Sequence, residues 1–172
     1  MKHAKYVIIT LISLFMMTAM FIQPIGADQT SDSFDITATG EFLWIDITNA
    51  SWALGTISMS SHHWTNETDK TFIADMDNST VNTDLKLQIT SDAATWSAST
   101  AGNPEGVDTY RLNASIDTWS TENQVIVASA TTISSTITAG QNETFDLRFD
   151  APTSTSTGNQ QSLTVTASIV AS

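Results

Sequence analysis

The chain has 172 residues, no cysteine, 18 acidic side chains against 6 basic ones, and three histidines. A formal net charge of −12 repels phosphate backbones and anionic bilayers, which argues against a nucleic-acid or membrane-surface role. Without cysteine there is no thiol nucleophile, no disulfide staple and no thiol for lipid attachment, so the fold has to rest on its hydrophobic core.

Lys2, His3 and Lys5 precede an apolar run from Tyr6 to Ile22, interrupted only by Thr10, Ser13 and Thr18. Gln23 and Pro24 follow, then the small residues Gly26 and Ala27. A positive start, a short apolar stretch and a small residue at the exit form a secretory signal peptide, residues 1–27, with cleavage after Ala27. The run is about 17 residues, at the lower limit for crossing a bilayer. It precedes the cut, unlike the apolar helix that a type IV pilin keeps. The expected product is a secreted protein of the extracellular cell surface, with no membrane insertion of the mature chain. The remaining 145 residues, 28–172, fit one domain able to bury most of its apolar surface. There Lys70, Lys86, Arg111 and Arg148 oppose all 18 acidic groups, leaving a net charge of −14. Ser172 follows the last strand pattern with no apolar tail or sorting motif, so the mature protein is expected to be held by its neighbours or released.

Along the mature chain apolar residues recur with period two, the mark of half-buried strands, and nowhere with helical spacing over three turns. In order, the rows are Phe34/Ile36/Ala38; Leu43/Ile45/Ile47 with Phe42 and Trp44 opposite; Trp52/Leu54/Ile57 around a possible bulge at Gly55; and Phe72/Ala74/Met76. Leu85/Leu87/Ile89 and Tyr110/Leu112/Ala114 follow, then the shorter Val125/Val127 and Ile133/Ile137. Phe145/Leu147/Phe149 and Leu163/Val165/Ala167/Ile169 close the series, the last being the most regular. Turn chemistry separates them, as at Ala139-Gly140-Gln141-Asn142 and Thr157-Gly158-Asn159. Nine or ten short strands predict an all-β, antiparallel, Ig-like or jelly-roll-like sandwich. Its core should lie on the rows of residues 85–89, 145–149 and 163–169.

The stretch Ile137-Thr138-Ala139-Gly140-Gln141-Asn142-Glu143-Thr144-Phe145-Asp146-Leu147-Arg148-Phe149-Asp150-Ala151-Pro152 resembles the late strands of secreted Ig-like surface modules of archaea and bacteria. Gln161-Ser162-Leu163-Thr164-Val165-Thr166-Ala167 is similar to their closing strand, and Trp52-Ala53-Leu54-Gly55-Thr56 to a segment common among archaeal members. The resemblance implies a β-sandwich. By analogy it implies a filament or envelope subunit, some of which are joined by donor strands. It carries no catalytic residues.

Five sequons are candidates for N-glycans, at Asn49, Asn66, Asn78, Asn113 and Asn142. Asp75, Asp77 and Asn78 resemble the start of a calcium loop, but Thr80 stands where an EF-hand needs Gly and Lys86 where it needs Glu. A solvated acidic turn is the competing reading. His62 and His63 would point to opposite faces of a strand and share no metal; an exposed loop is the other reading. Of the tryptophans, Trp44 and Trp52 read as core, while Trp64 and Trp119 sit in polar surroundings and are candidates for exposure, as sugar platforms or interface anchors; plain packing is the competing reading. No Gly-x-Ser-x-Gly, phosphate loop or spaced histidine base is present, and the chain is not expected to be an enzyme.

The expected function is a structural subunit of an extracellular filament, pilus, sheath or surface layer, self-associating into a polymer or lattice. The alternative is a carbohydrate-binding or adhesive module. After cleavage the first thirteen residues, 28–40, carry the alternating row Phe34, Ile36 and Ala38, which reads either as the first strand of its own sandwich or as one exchanged with a neighbour. Sequencing the exported protein from its N-terminus should return Asp28-Gln29-Thr30. A start at Met1 in detergent-extracted membranes would mean that the apolar run is an uncleaved anchor.

Overall fold

The computed structural model describes residues 38, 40–68, 70–100, 106–120 and 124–172. The expected signal peptide and the row Phe34/Ile36 lie outside these residues; Ala38 is exposed and belongs to no strand. The chain divides into two compact units between Thr39 and Gly40, and the body described below is Gly40–Ser172.

Its elements are β1 (Asp46–Thr48), β2 (His62–Trp64), a 3-10 turn (Asn66–Thr68), β3 (Phe72–Asp75), β4 (Thr83–Ser91) and β5 (Ser97–Ala98). They continue with β6 (Thr109–Ser115), β7 (Gln124–Ile126), β8 (Thr131–Ile137), β9 (Glu143–Asp150) and β10 (Thr164–Ala171). The larger sheet runs β1-β3-β9-β6-β5, with β2 also on β9 and β7 also on β6; the smaller runs β10-β4-β8. All pairs are antiparallel except the two-residue β5 beside β6, which is parallel. The all-β, two-sheet architecture is thus the one that the alternation predicts.

The sheets meet where it predicts as well. Leu85, Leu87 and Ile89 of β4 share one buried cluster with Phe145, Leu147 and Phe149 of β9. Aromatic rings thicken the layer: Phe72 stacks on Phe145, and Tyr110 on Phe149, each at 5.3 Å between centroids. Pairing of β9 with β3 on one side and β6 on the other puts β9 inside its sheet, with Phe145, Leu147 and Phe149 all buried.

Several expectations are corrected. Trp52–Ile57 forms no strand; Gly55 sits at φ 65, a left-handed turn that interrupts the pleat. His62 and His63 lie in a strand rather than a loop, because His62–Trp64 pairs with Arg148–Asp150. In β7 the inward residue is Ile126, fully buried, and not the flanking Val125 and Val127. Against β4, the register of β8 shifts between Thr83 and Leu85 and again between Leu85 and Lys86. These irregularities bury Ser134 beside Ile133 and explain the weak alternation there. Phe42–Trp44 precedes β1 outside any strand, and Trp44 is 45% exposed, not core. Trp64 and Trp119 are half-buried rather than exposed.

The largest departure is β10. Its inward row Leu163, Val165, Ala167 and Ile169 packs against the core yet stays only partly buried, although the pairing Ala167↔Leu87 and Ile169↔Leu85 keeps it in register with the fully buried row of β4.

Leu87, 1% exposed, sets the test of this arrangement. Leu87→Asp would bury an unpaired charge between the sheets, with an expected cost of about 4 kcal/mol or more. Thermal unfolding should show a melting temperature at least about 10 °C lower; a melt within a few degrees of the parent would mean that the register is wrong.

Candidate functional site

β10 is half-buried because the space before it is open. A cleft of about 1050 Å3 runs between the sheets beside β10. Leu163, Val165 and Ala167 line one wall, and Phe72, Phe145 and Leu147 the other. The unpaired segment carrying Trp52, Leu54 and Ile57 also lines it. Trp52 holds its indole Nε1–H buried with no hydrogen-bond partner among the described residues, a donor left unsatisfied beside an apolar channel.

The backbone next to the cleft is equally incomplete. Among the described residues β10 pairs only with β4, and no described strand takes up the N–H and C=O groups along its other edge. Such edges are commonly guarded by charges, proline or bulges. Here Val165-Thr166-Ala167-Ser168-Ile169-Val170-Ala171 has no charge and no proline, and the one irregularity lies at its start, between Thr164 and Val165. The apolar channel and this uncharged strand edge thus lie side by side.

One end of the cleft is held rigid by the Ser/Thr loop before β10. Thr155 accepts a 2.9 Å hydrogen bond from the Trp96 indole and donates to Asp108, whose carboxylate also receives the Ser156 backbone N–H at 2.8 Å. The Ser156 hydroxyl and backbone hold the Asp108 carboxyl below its ordinary pKa.

A second constellation lies on the outer face of the larger sheet. Asp150 is fully buried and is reached by Arg111 at 2.8 Å, Arg148 at 2.9 Å and His62 Nδ1 at 2.7 Å; Asn113 Nδ2 donates to it at 3.2 Å. Burial pushes its pKa up, but hydrogen bonds from Arg148, His62 and Arg111 outweigh that and hold it below 3.8. Nearby, buried Asp146 accepts hydrogen bonds from Thr65 at 3.0 Å and Thr71 at 2.8 Å. This cluster was hidden in the sequence because Asp146, Arg148 and Asp150 alternate with apolar residues and read as a solvent face; the hint was that two of the four mature cations stand on β6 and β9. His63 meets the Ser61 hydroxyl at 2.8 Å, while His62 meets Asp150. The Ser–His and His–Asp contacts therefore belong to different histidines on opposite faces of β2, and they form no relay.

The sequons separate by exposure. Asn49, Asn66, Asn78 and Asn142 are exposed. Asn113 is 2% exposed and bonded to Asp150, so a glycan there would break the sheet; this candidate is set aside. The loop expected to hold calcium spends its carboxylates locally: Asp75 accepts the Asp77 backbone N–H at 3.1 Å, and Asp77 accepts the Asn78 amide at 2.7 Å. Asp75, Asp77 and Asn78 thus form a turn cap, and among the described residues no three His, Cys, Asp or Glu side chains converge on a point.

No family model matches the chain, and no curated protein matches it. Among solved structures, a chain from a chaperone–usher pilus, reported for the molecular basis of its rod uncoiling, is similar over 87% of this chain and 99% of its own, at 11% identity and a TM-score of 0.40.

The Asp150 cluster yields a test of what holds the larger sheet together. Asp150→Asn leaves Arg111 and Arg148 largely buried without their anion, at an expected cost of about 3 kcal/mol at neutral pH. Because the folded-state pKa is depressed, this contribution is fully present above the unfolded value near 3.8 and is lost as pH falls through the folded value. In denaturant titrations the gap between parent and variant should therefore be widest at pH 7 and narrow below pH 3.8. A gap that does not change with pH would mean that the charge of Asp150 contributes nothing.

Proposed function

We propose that the mature chain is a structural subunit of an extracellular filament, assembled by strand exchange. Phe34-Asp35-Ile36-Thr37-Ala38 of one copy lies along the β10 edge of the next, with Phe34, Ile36 and Ala38 filling its cleft. The observation that carries this reading is the half-buried inner row of β10 beside an open apolar cleft and an unguarded edge.

Three further features agree with it. The donor row has the period-two pattern that a cleft between sheets requires. Residues 28–40, extended at about 3.3 Å per residue, reach roughly 40 Å, enough to span a neighbouring subunit. The described strands of both sheets all lie within Gly40–Ser172, a compact unit of its own. A contact that passes a strand from each copy to the next is head-to-tail and need not close on itself, which produces a linear polymer. The negative surface of the mature chain keeps unpolymerised subunits soluble.

Deleting Asp28–Ala38 tests the reading. The truncated chain should fold, remain monomeric, and bind a synthetic peptide of residues 28–40. Phe34→Ala in that peptide should weaken binding at least about tenfold, the loss expected from one large apolar side chain withdrawn from a buried site. A truncated chain that still polymerises, or that folds and ignores the peptide, would defeat strand exchange. One that fails to fold would show that the segment is the first strand of its own sandwich.

A further inference from the structure

We infer that Phe42, Leu43 and Trp44 form the seam between successive subunits, an apolar clasp that closes on the rim of the acceptor's cleft. The inference rests on the strand-exchange reading and adds a second contact to it.

These three residues are 50%, 41% and 45% exposed, the one run of consecutive large hydrophobic residues exposed among those described. Of the five tryptophans, all described, Trp44 alone is exposed. Exposure is not a sign of a loose chain here. The backbone is pinned to the loop between β3 and β4: Phe42 N–H donates to Thr80 Oγ1 at 2.9 Å, Thr80 N–H to the Phe42 carbonyl at 2.9 Å, and Trp44 N–H to Ser79 Oγ at 3.0 Å. Ser79 Oγ in turn donates to the Trp44 carbonyl at 3.0 Å, and Ser79 is itself buried. The segment therefore presents a preorganised apolar surface to solvent, the arrangement that marks an interface rather than a core in waiting.

Chain connectivity identifies what covers it. Phe42 is four residues beyond Ala38, the last inward position of the donor row. Four extended residues span about 13 Å. When Phe34–Ala38 occupies a neighbour's cleft, Phe42 cannot lie farther than that from the end of the cleft. A second copy of this chain is then within reach of the exposed trio, and contact with it removes two aromatic rings and a leucine from water. The donor strand supplies reach and register; the clasp fixes the angle between subunits and slows release, because the strand cannot withdraw without first exposing the trio.

The triple variant Phe42→Ser, Leu43→Ser, Trp44→Ser, in the full mature chain, tests this separately from strand exchange. The bonds that hold the segment come from backbone and from Ser79 and Thr80, so the monomer should melt as the parent does. With the same three substitutions placed in the Asp28–Ala38 deletion, the peptide of residues 28–40 should bind as before, since the cleft is untouched. Polymers of the full-length triple variant should dissociate at least about tenfold faster than those of the parent. On polymerisation the parent's tryptophan emission should shift to shorter wavelength by more than that of Trp44→Ser, in which Trp52 in the filled cleft still contributes. Parent and triple-variant polymers of equal lifetime, or a Trp44 that stays water-exposed in the polymer, would overturn the seam and leave strand exchange standing. A peptide that does not bind the truncated parent, or a mature parent that never polymerises, would overturn both.

Discussion

The body of this protein is governed by an inner face that its described strands do not finish covering. A two-sheet domain is stable when each apolar face finds a partner across the gap, and β4 and β9 satisfy that condition completely, with every inward residue of Leu85, Leu87, Ile89, Phe145, Leu147 and Phe149 buried. β10 lies beside β4 at the end of the smaller sheet's described strand order. Its inward row is apolar and correctly registered, but it packs against the core only in part and borders a channel. An open apolar channel costs dispersion contacts as well as hydration, and the proposed exchanged strand would restore both.

The other unusual features arrange themselves around that channel. Gly55 turns the Trp52–Ile57 segment out of strand geometry, which leaves the channel bordered by an unpaired stretch instead of a hydrogen-bonded strand. The Asp108 and Thr155 network stiffens the loop leading into β10, so the edge is held in place although one side of it is unpaired. The Asp150 cluster ties β2, β6 and β9 together on the far face with two arginines and a histidine. That clamp gives the larger sheet rigidity independent of the channel, as a body with an incomplete core requires.

What this supports is a division of labour within one chain. The compact unit Gly40–Ser172 supplies the channel and edge, and the residues before it supply a row of matching period. Phe42–Trp44, near the start of that unit, is fixed to the body through its backbone and is apolar at its surface. On the proposed strand exchange, the exposed apolar surface is buried only between copies, and the polymer rather than the monomer is the completed fold.

Much of the fold was legible in the sequence, because a strand buried on one face writes its orientation into every second residue. The rows on β4, β6 and β9 were read correctly for that reason, as was the row of β10. The sequence also determined the charge balance, the absence of thiol chemistry and the period of Phe34, Ile36 and Ala38. It did not reveal that the β10 row would be left half exposed, since alternation records which face is apolar and says nothing of what stands opposite. Strand β2 was missed because His62, His63 and Trp64 owe their pairing to β9, more than eighty residues away. The burial of Asp150 and Asn113 escaped notice because a polar residue in an alternating strand looks solvent-facing until a loop, a neighbouring strand and two arginines close over it. Trp44 was misplaced for the converse reason: its neighbours alternate, but Ser79 and Thr80 hold its backbone at the surface. Local pattern fixes which side of a strand is apolar; only the packing of distant segments decides whether that side is covered, and by what.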